Sequence, residues 1–266
     1  MRRLSGTGEK LDSKVGQGSA APVPGRLFRI GKKLRHKVSF IVARSSKVGD
    51  RPVFDADSFP WIAGLETRWP EIKEELEAIL AHRDAIPPLA SISPDHRRIA
   101  PPGKWKSFFL QGYGYRVEEN LRRCPRTAEA LAAIPGLNSA FFSILDPGTH
   151  IPRHRGVTKA ILTAHLGLIV PPDRNSCRMQ LDDQLLHWEE GRTLVFDDTF
   201  HHEVWNDSDG LRAVLLIQFR RPVGLVGRLV GGLFLLGIRR SRFVQDARAQ
   251  IGQWEMAMQQ LEQDRL

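Results

Sequence analysis

The sequence predicts a mainly β domain, an antiparallel sandwich or barrel of the jelly-roll kind, with helices flanking it on both sides. Three observations carry that expectation. Between residues 139 and 219, short runs rich in β-branched, aromatic or leucine residues recur at regular spacing, among them SAFFSIL, CRMQL, TLVF and RAVLLIQF. Turn signals separate them: DPG, PPDRNS, DDQ, EEG and NDSDG. The segments before and after this region carry helical periodicity instead. Many short strands with regular turns close into sandwiches or barrels, which bury one face of each strand and leave few open edges.

Residues 1–25 are rich in Gly, Ser, Ala and Pro and read as a disordered lead. In RLFRIGKKLRHKVSFIVAR, residues 26–44, Leu27, Ile30, Leu34, Val38 and Ile41 recur at helical spacing among arginines and lysines. Such a basic amphipathic helix can lie on an anionic membrane surface, where each cation contributes roughly 1 kcal/mol. It can equally pack on its own domain with a solvated charged face. It lacks aromatics suited to base stacking, so no nucleic acid is expected as a partner. Residues 1–50 hold twelve Lys and Arg against three acids, which accounts for the whole net charge of +9. Residues 51–266 are neutral as a block, so the high isoelectric point belongs to an arm.

The domain is expected to run over residues 51–221, opening with helices. FPWIAGLETRWPEIKEELEAILAHR reads as one or two of them, with Pro70 at a helix start and acids after it. PPGKWKSFFLQGYGYRVEENLRRC mixes an aromatic strand, a Gly-rich turn and a helix. A further short helix, PRTAEALAAI, leads to a turn at Pro135-Gly136. Strands are expected over 139–145, 159–170, 177–181, 185–188, 193–196, 202–205 and 212–219. The final unit, 222–266, opens with PVGLVGRLVGGLFLLGI, which is apolar but too short for a transmembrane span. An interfacial segment, the lining of a groove for a greasy substrate and a helix buried on the sheet all fit it, burial being the default. The tail RSRFVQDARAQIGQWEMAMQQLEQ reads as a helix. Cys124 and Cys177 lack metal or redox spacing and fit buried thiols in a reducing compartment. No secretory h-region follows the charged start.

The chemistry centres on FDDTFHHEVW, residues 196–205. Successive strand side chains point to opposite faces, so only one of His201 and His202 can face an interior. A partner should come from another strand near a turn, and SILDPGTHIPRHRGVTKAILTAHLGL offers His150, His154 and His165. Two imidazoles from distant strands, with open positions on the metal, suit a non-haem Fe(II) site. The carboxylate that usually follows the first histidine by two residues is replaced here by Gly156. On spacing alone, a metal site and ordinary packed histidines both remain open.

The run from about Gly103 to Arg221 resembles the aspartyl/asparaginyl β-hydroxylase family, closest in appearance to its lipid A acyl-chain hydroxylase branch. The pieces that carry the resemblance are KWKSFFLQGYG (104–114), FFSILDPGTHIPRHRG (141–156), HLGLIVP (165–171), FDDTFHHEVWN (196–206) and RAVLLIQF (212–219). It implies a double-stranded β-helix fold, Fe(II), and 2-oxoglutarate as co-substrate. It also implies His154 and His202 as iron ligands, with water in the position left by Gly156 and His201 as a structural neighbour. Arg212 and Ser143 would hold the distal carboxylate of 2-oxoglutarate, and His165 would stand near its chelating end. Read without the resemblance, Arg212 is a surface cation at a strand start, beside Asp207 and Asp209. Asp197 and Asp198 are expected to orient the metal-site loop. Thr163 stands where family members often carry arginine, which weakens an aspartyl-peptide substrate.

The resulting expectation is a dioxygenase that hydroxylates a C–H bond, with no catalytic residue beyond the metal centre. Its first substrate is a membrane lipid acyl chain of the lipid A type. The alternatives are Asp or Asn in a peptide, a free amino acid, or a non-catalytic jelly-roll binding protein. A cytoplasmic protein in peripheral contact with the inner face of the membrane follows from the lipid reading.

Overall fold

The computed structural model describes residues 26–93, 98–99 and 102–263. The Gly- and Ser-rich lead over 1–25, and the expectation of disorder there, lie outside them. In chain order the strands are β1 (Val53–Phe54), β2 (Trp105–Gly112), β3 (Tyr115–Arg116), β4 (Leu137–Leu145), β5 (Thr149–His154) and β6 (Ile161–Ile169). They continue with β7 (Cys177–Leu181), β8 (Gln184–Leu186), β9 (Thr193–Phe196), β10 (His202–Asn206) and β11 (Arg212–Arg220). The helices are α1 (Arg26–Arg44), α2 (Trp61–Thr67), α3 (Trp69–Leu80), α4 (Leu89–Ile92), α5 (Glu118–Arg123), α6 (Pro125–Ala132), α7 (Leu225–Arg240) and α8 (Arg242–Gln263).

The strands form two antiparallel sheets, a seven-stranded one in the order β1-β9-β6-β11-β4-β2-β3 and a four-stranded one in the order β5-β10-β7-β8. Together they are a double-stranded β-helix with flanking helices. Strand alternation divides the large sheet between two cores. Ala213, Leu215 and Ile217 of β11 face outward, into a core shared with Ile72, Leu76 and Ile79 of α3. Those three α3 residues recur at helical spacing, and burying each contributes roughly 1.5–3 kcal/mol. Pro70 sits in the first turn of α3, where its missing N–H costs nothing. Val214 of β11 faces the other way, into a second core with Phe141 and Leu145 of β4 and with Ile151, Met179 and Val204 of the small sheet. The site lies on this inner face, between the sheets.

Three strands escaped the sequence reading, the two-residue β1 and β3 and, nearest the site, β5. β5 carries Pro152 and polar neighbours, a composition that reads as loop. It is tolerated because β5 is an edge strand, paired only with β10.

The default of a buried segment over 222–238 is corrected. α7 buries only Gly227 and Gly231 fully, and packs on α1 through a small cluster of Val38, Val42 and Ala160. The glycines set this contact: a Cβ on Gly227 would stand 2.6 Å from Ser45 Cβ. The leucine face of α7 therefore turns away from the domain, leaving Leu225, Val226, Leu229, Leu233 and Leu236 exposed. No described helix is long and apolar enough to cross a membrane.

Candidate functional site

His202 opens β10 and pairs in register with His154, the last residue of β5. The pairing then shifts, because Val204 stands opposite Ile151. Two residues on β10 thus span three on β5, which is a β-bulge. Without that extra residue, alternation from inward-facing Ile151 would turn His154 outward. With it, both imidazoles meet on the inner face, their ring centroids 4.0 Å apart.

Both rings have a defined tautomer. His154 Nδ1 lies 2.9 Å from the Pro152 carbonyl, and His202 Nδ1 lies 3.1 Å from the Phe200 carbonyl. A carbonyl only accepts, so each Nδ1 carries a proton and each Nε2 keeps its lone pair. Burial, reinforced by His202, pushes His154 down to about 4, and burial also lowers His202. Two neutral imidazoles with free Nε2 lone pairs form a donor set for a transition metal with open positions. Among the described residues no group of three His, Cys, Asp or Glu is gathered to hold a metal. His201 is exposed, and His150 faces outward, stacked on Trp205 and bonded to Glu203 at 2.7 Å.

The vacancy at Gly156 has a physical cause. A Cβ there would stand 2.1 Å from Asp198 Oδ1, so Asp198 occupies the space that a side chain at 156 would need. Asp198 is buried. Its Oδ2 accepts from Thr163 Oγ1 at 3.3 Å and from Gln218 Nε2 at 3.5 Å, and its Oδ1 has no partner. Burial, then the neighbouring Asp197, raises its carboxyl to about 7. Asp197 has a different task. It accepts from the Thr199 amide at 2.9 Å and from Lys159 at 3.0 Å, and pairs with the buried Arg221, pinning the loop before β10.

A second cluster stands on the large sheet. Arg212 opens β11 and is fully buried, so it is not the surface cation that its neighbours Asp207 and Asp209 suggest. Asp207 pairs instead with Arg178, at 2.8 Å. The Arg212 guanidinium carbon lies 4.2 Å from the centroid of the Trp188 ring, and its Nε and Nη1 have no hydrogen-bond partner. Burial lowers its pKa to about 10, so it remains a cation at neutral pH.

Ser143, on β4, accepts from Trp105 Nε1 at 3.0 Å and is paired in register with Ser107, whose hydroxyl is unpartnered. His165 Nδ1 accepts from Trp188 Nε1 at 3.2 Å, so its Nε2 carries a proton, buried and without a partner. Burial, then Arg212, holds His165 well below its ordinary pKa and keeps it neutral. Phe196 links the clusters, with its ring 4.9 Å from His165 and 6.1 Å from His202.

Sequence reasoning missed Trp188, Trp105 and Ser107, and gave Asp198 only a loop role. One signal was present, the glycine of HLGL. A Cβ on Gly167 would stand 2.1 Å from the Glu189 carbonyl oxygen, so this glycine lets the segment after Trp188 cross β6 closely. A buried, unpaired cation is costly, and an anion that fills the space beside it removes the cost. The residues present thus fit a metal at one end and an anionic ligand at the other.

A family model described as Aspartyl/Asparaginyl beta-hydroxylase matches residues 66–222. The chain is 39% identical over 210 residues to the ornithine lipid ester-linked acyl 2-hydroxylase of Rhizobium tropici, across 79% of this chain and 75% of that protein. It is 30% identical over 166 residues to the human aspartyl/asparaginyl beta-hydroxylase, across 60% of this chain and 21% of the human protein. Against human aspartate beta-hydroxylase domain-containing protein 2 it is 37% identical over 131 residues, 46% of this chain and 35% of that one. The chain therefore spans about a fifth of one human relative and about a third of the other.

Proposed function

Because the chain belongs to the aspartyl/asparaginyl β-hydroxylase family, we propose that it uses Fe(II) and 2-oxoglutarate to hydroxylate an acyl chain of a membrane lipid. The observation that carries this reading is Arg212, a buried cation with two unpartnered donor nitrogens, Nε and Nη1, and no ion pair with a carboxylate among the described residues. A dicarboxylate co-substrate supplies what it lacks. The planar guanidinium fork matches a carboxylate, and Ser143 adds a hydroxyl at the same end.

His154 and His202 would hold iron through Nε2, each kept in that tautomer by its carbonyl partner. Bound iron, with 2-oxoglutarate and dioxygen, supplies an oxidation that yields succinate, carbon dioxide and a hydroxylated C–H position. The protein contributes orientation and shielding. Arg212 and Ser143 would fix one end of the co-substrate, and His165 has a buried Nε2–H free to donate to it. Asp198 fills the space at Gly156, and its unpartnered Oδ1 can accept a hydrogen bond. Phe196 and the inner apolar core keep bulk water from the space between the clusters.

The lipid reading draws on the bacterial relative, whose name specifies an ester-linked acyl 2-hydroxylase of ornithine lipid. The expected lipid A substrate accordingly widens to membrane lipids that carry a hydroxylatable acyl chain. The test is succinate release by anaerobically iron-loaded protein, with ornithine lipid, with lipid A and with an acidic peptide. Mass spectrometry of each would look for one added oxygen, with His202→Ala as the control. Lipid-stimulated turnover lost in His202→Ala supports the proposal. Stimulation by the peptide alone replaces the substrate, and failure to bind 2-oxoglutarate or iron overturns the site.

A further inference from the structure

We propose that the outer face of the α1–α7 helix pair is a docking surface for an anionic lipid bilayer, with α7 lying parallel to the membrane plane. Along α7, Leu225, Leu229, Leu233 and Leu236 recur at spacings of four, four and three residues, so they form one stripe over three turns. Leu225, Leu229 and Leu233 are 79%, 65% and 63% exposed, and Val226 beside them is 65% exposed. The opposite side of the helix is already occupied by α1 and the domain, through Gly227 and Gly231. α1 adds Phe40 to the exposed surface, with the Arg44 guanidinium over its ring at 5.7 Å. An apolar stripe of this length facing water is unfavourable for a protein with no partner.

Charge identifies the partner. α1 and α7 together carry ten arginines and lysines and no carboxylate. Among the described residues Lys37, Arg44, Arg228 and Arg240 are exposed and form no ion pair. A second copy of this chain would set the same cations against themselves. An anionic bilayer accepts both features: leucines enter the boundary between headgroups and acyl chains, while guanidinium and ammonium groups remain among the phosphates.

The helix that carries the docked face lies, through its opposite side, against the loop leading from His154. Gly231 packs against Ala160, at the end of the loop that begins at His154, and Val157 between them is half exposed. Docking would thus hold the loop that leads from His154 one helix away from the lipid. That consequence rests on the hydroxylase reading, whereas the docking itself does not.

The test is flotation of the full-length protein with vesicles of mixed phosphatidylglycerol and phosphatidylcholine, against phosphatidylcholine alone. Binding to the anionic vesicles, weakened by salt, is expected. Leu229→Glu with Leu233→Glu should reduce the bound fraction at least about tenfold, because apolar contact and charge are both altered. Lys37→Glu with Arg228→Glu keeps the leucines, and should lower binding to anionic vesicles alone. It also decides the matter if the leucine variant fails to fold, as judged by circular dichroism. No binding by the wild-type protein, or undiminished binding by both variants, overturns the proposal. A solution dimer that the leucine variant dissolves, without vesicle binding, assigns the face to a second copy instead. Succinate release without lipid, measured on the same variants, separates failure of docking from failure of the hydroxylase reading.

Discussion

At the scale of single residues, Arg212 and Gly156 make opposite demands. Arg212 holds an ionised group away from water with its Nε and Nη1 unused, so its guanidinium destabilises the fold unless the proposed anion sits beside it. Arg212→Met should therefore leave the ligand-free melting temperature unchanged or raised. It should also abolish the thermal shift that the proposed co-substrate, 2-oxoglutarate, is expected to cause, and weaken its binding by at least about tenfold, as charge-assisted hydrogen bonds contribute roughly 1.5–3 kcal/mol each. Thermal melts with and without 2-oxoglutarate check both. Gly156 fails in the other direction, because its space already holds the Asp198 carboxylate. Gly156→Ala should cost about 1–3 kcal/mol through overpacking. Denaturant midpoints of Gly156→Ala, Asp198→Ala and the double variant check this, and a smaller penalty in the absence of Asp198 is expected.

At the scale of elements, the loop between β9 and β10 carries the approach to His202 and is tied down from several directions. Asp197 joins it to Lys159 before β6 and to Arg221 after β11, while Arg221 also donates to the Gly49 carbonyl at 2.9 Å. Asp197 and Arg221 have no solvent exposure in their side chains. Asp197→Ala leaves the buried Arg221 guanidinium with only the exposed Asp50 carboxylate, at 4.0 Å, and should cost roughly 3–5 kcal/mol in urea unfolding. By contrast, Arg174→Ala removes only the exposed pair with Glu189, and should change stability by less than about 1 kcal/mol.

At the scale of the whole molecule, the fold places two cores on either side of the large sheet, and Cys124 reports on the outer one. Its thiol is fully buried, and burial, with a smaller contribution from Glu75, raises its pKa from 9.0 to about 12. The folded state thus retains a proton that the unfolded state releases. The associated stability is fully present below about pH 9 and is lost as pH rises toward 12. Cys124→Ala should flatten that alkaline decline in melting temperature. In the native protein, Cys124 should also resist iodoacetamide at mildly alkaline pH and react once unfolded, as peptide mapping would show.

The sequence by itself determined the longer elements of the sheets and the chemical inventory. Turn residues and strand alternation marked β4, β6, β7, β9, β10 and β11, because those signals are local and survive without tertiary context. Alternation also established that His201 and His202 face opposite ways, and the family motifs singled out His154, His202, Ser143, His165 and Arg212. Tertiary structure decided the remainder, because each point depends on atoms distant in the chain. One extra residue in β5 turns His154 toward His202, and no local pattern marks a bulge in a strand that itself reads as loop. Arg212 is buried because Trp188 crosses over it, although its sequence neighbours are surface acids. Asp198 fills the space at Gly156 from a loop more than forty residues away. Helical periodicity shows that α7 has a leucine face, but the close approach of α1 at Gly227 and Gly231 decides that this face meets solvent.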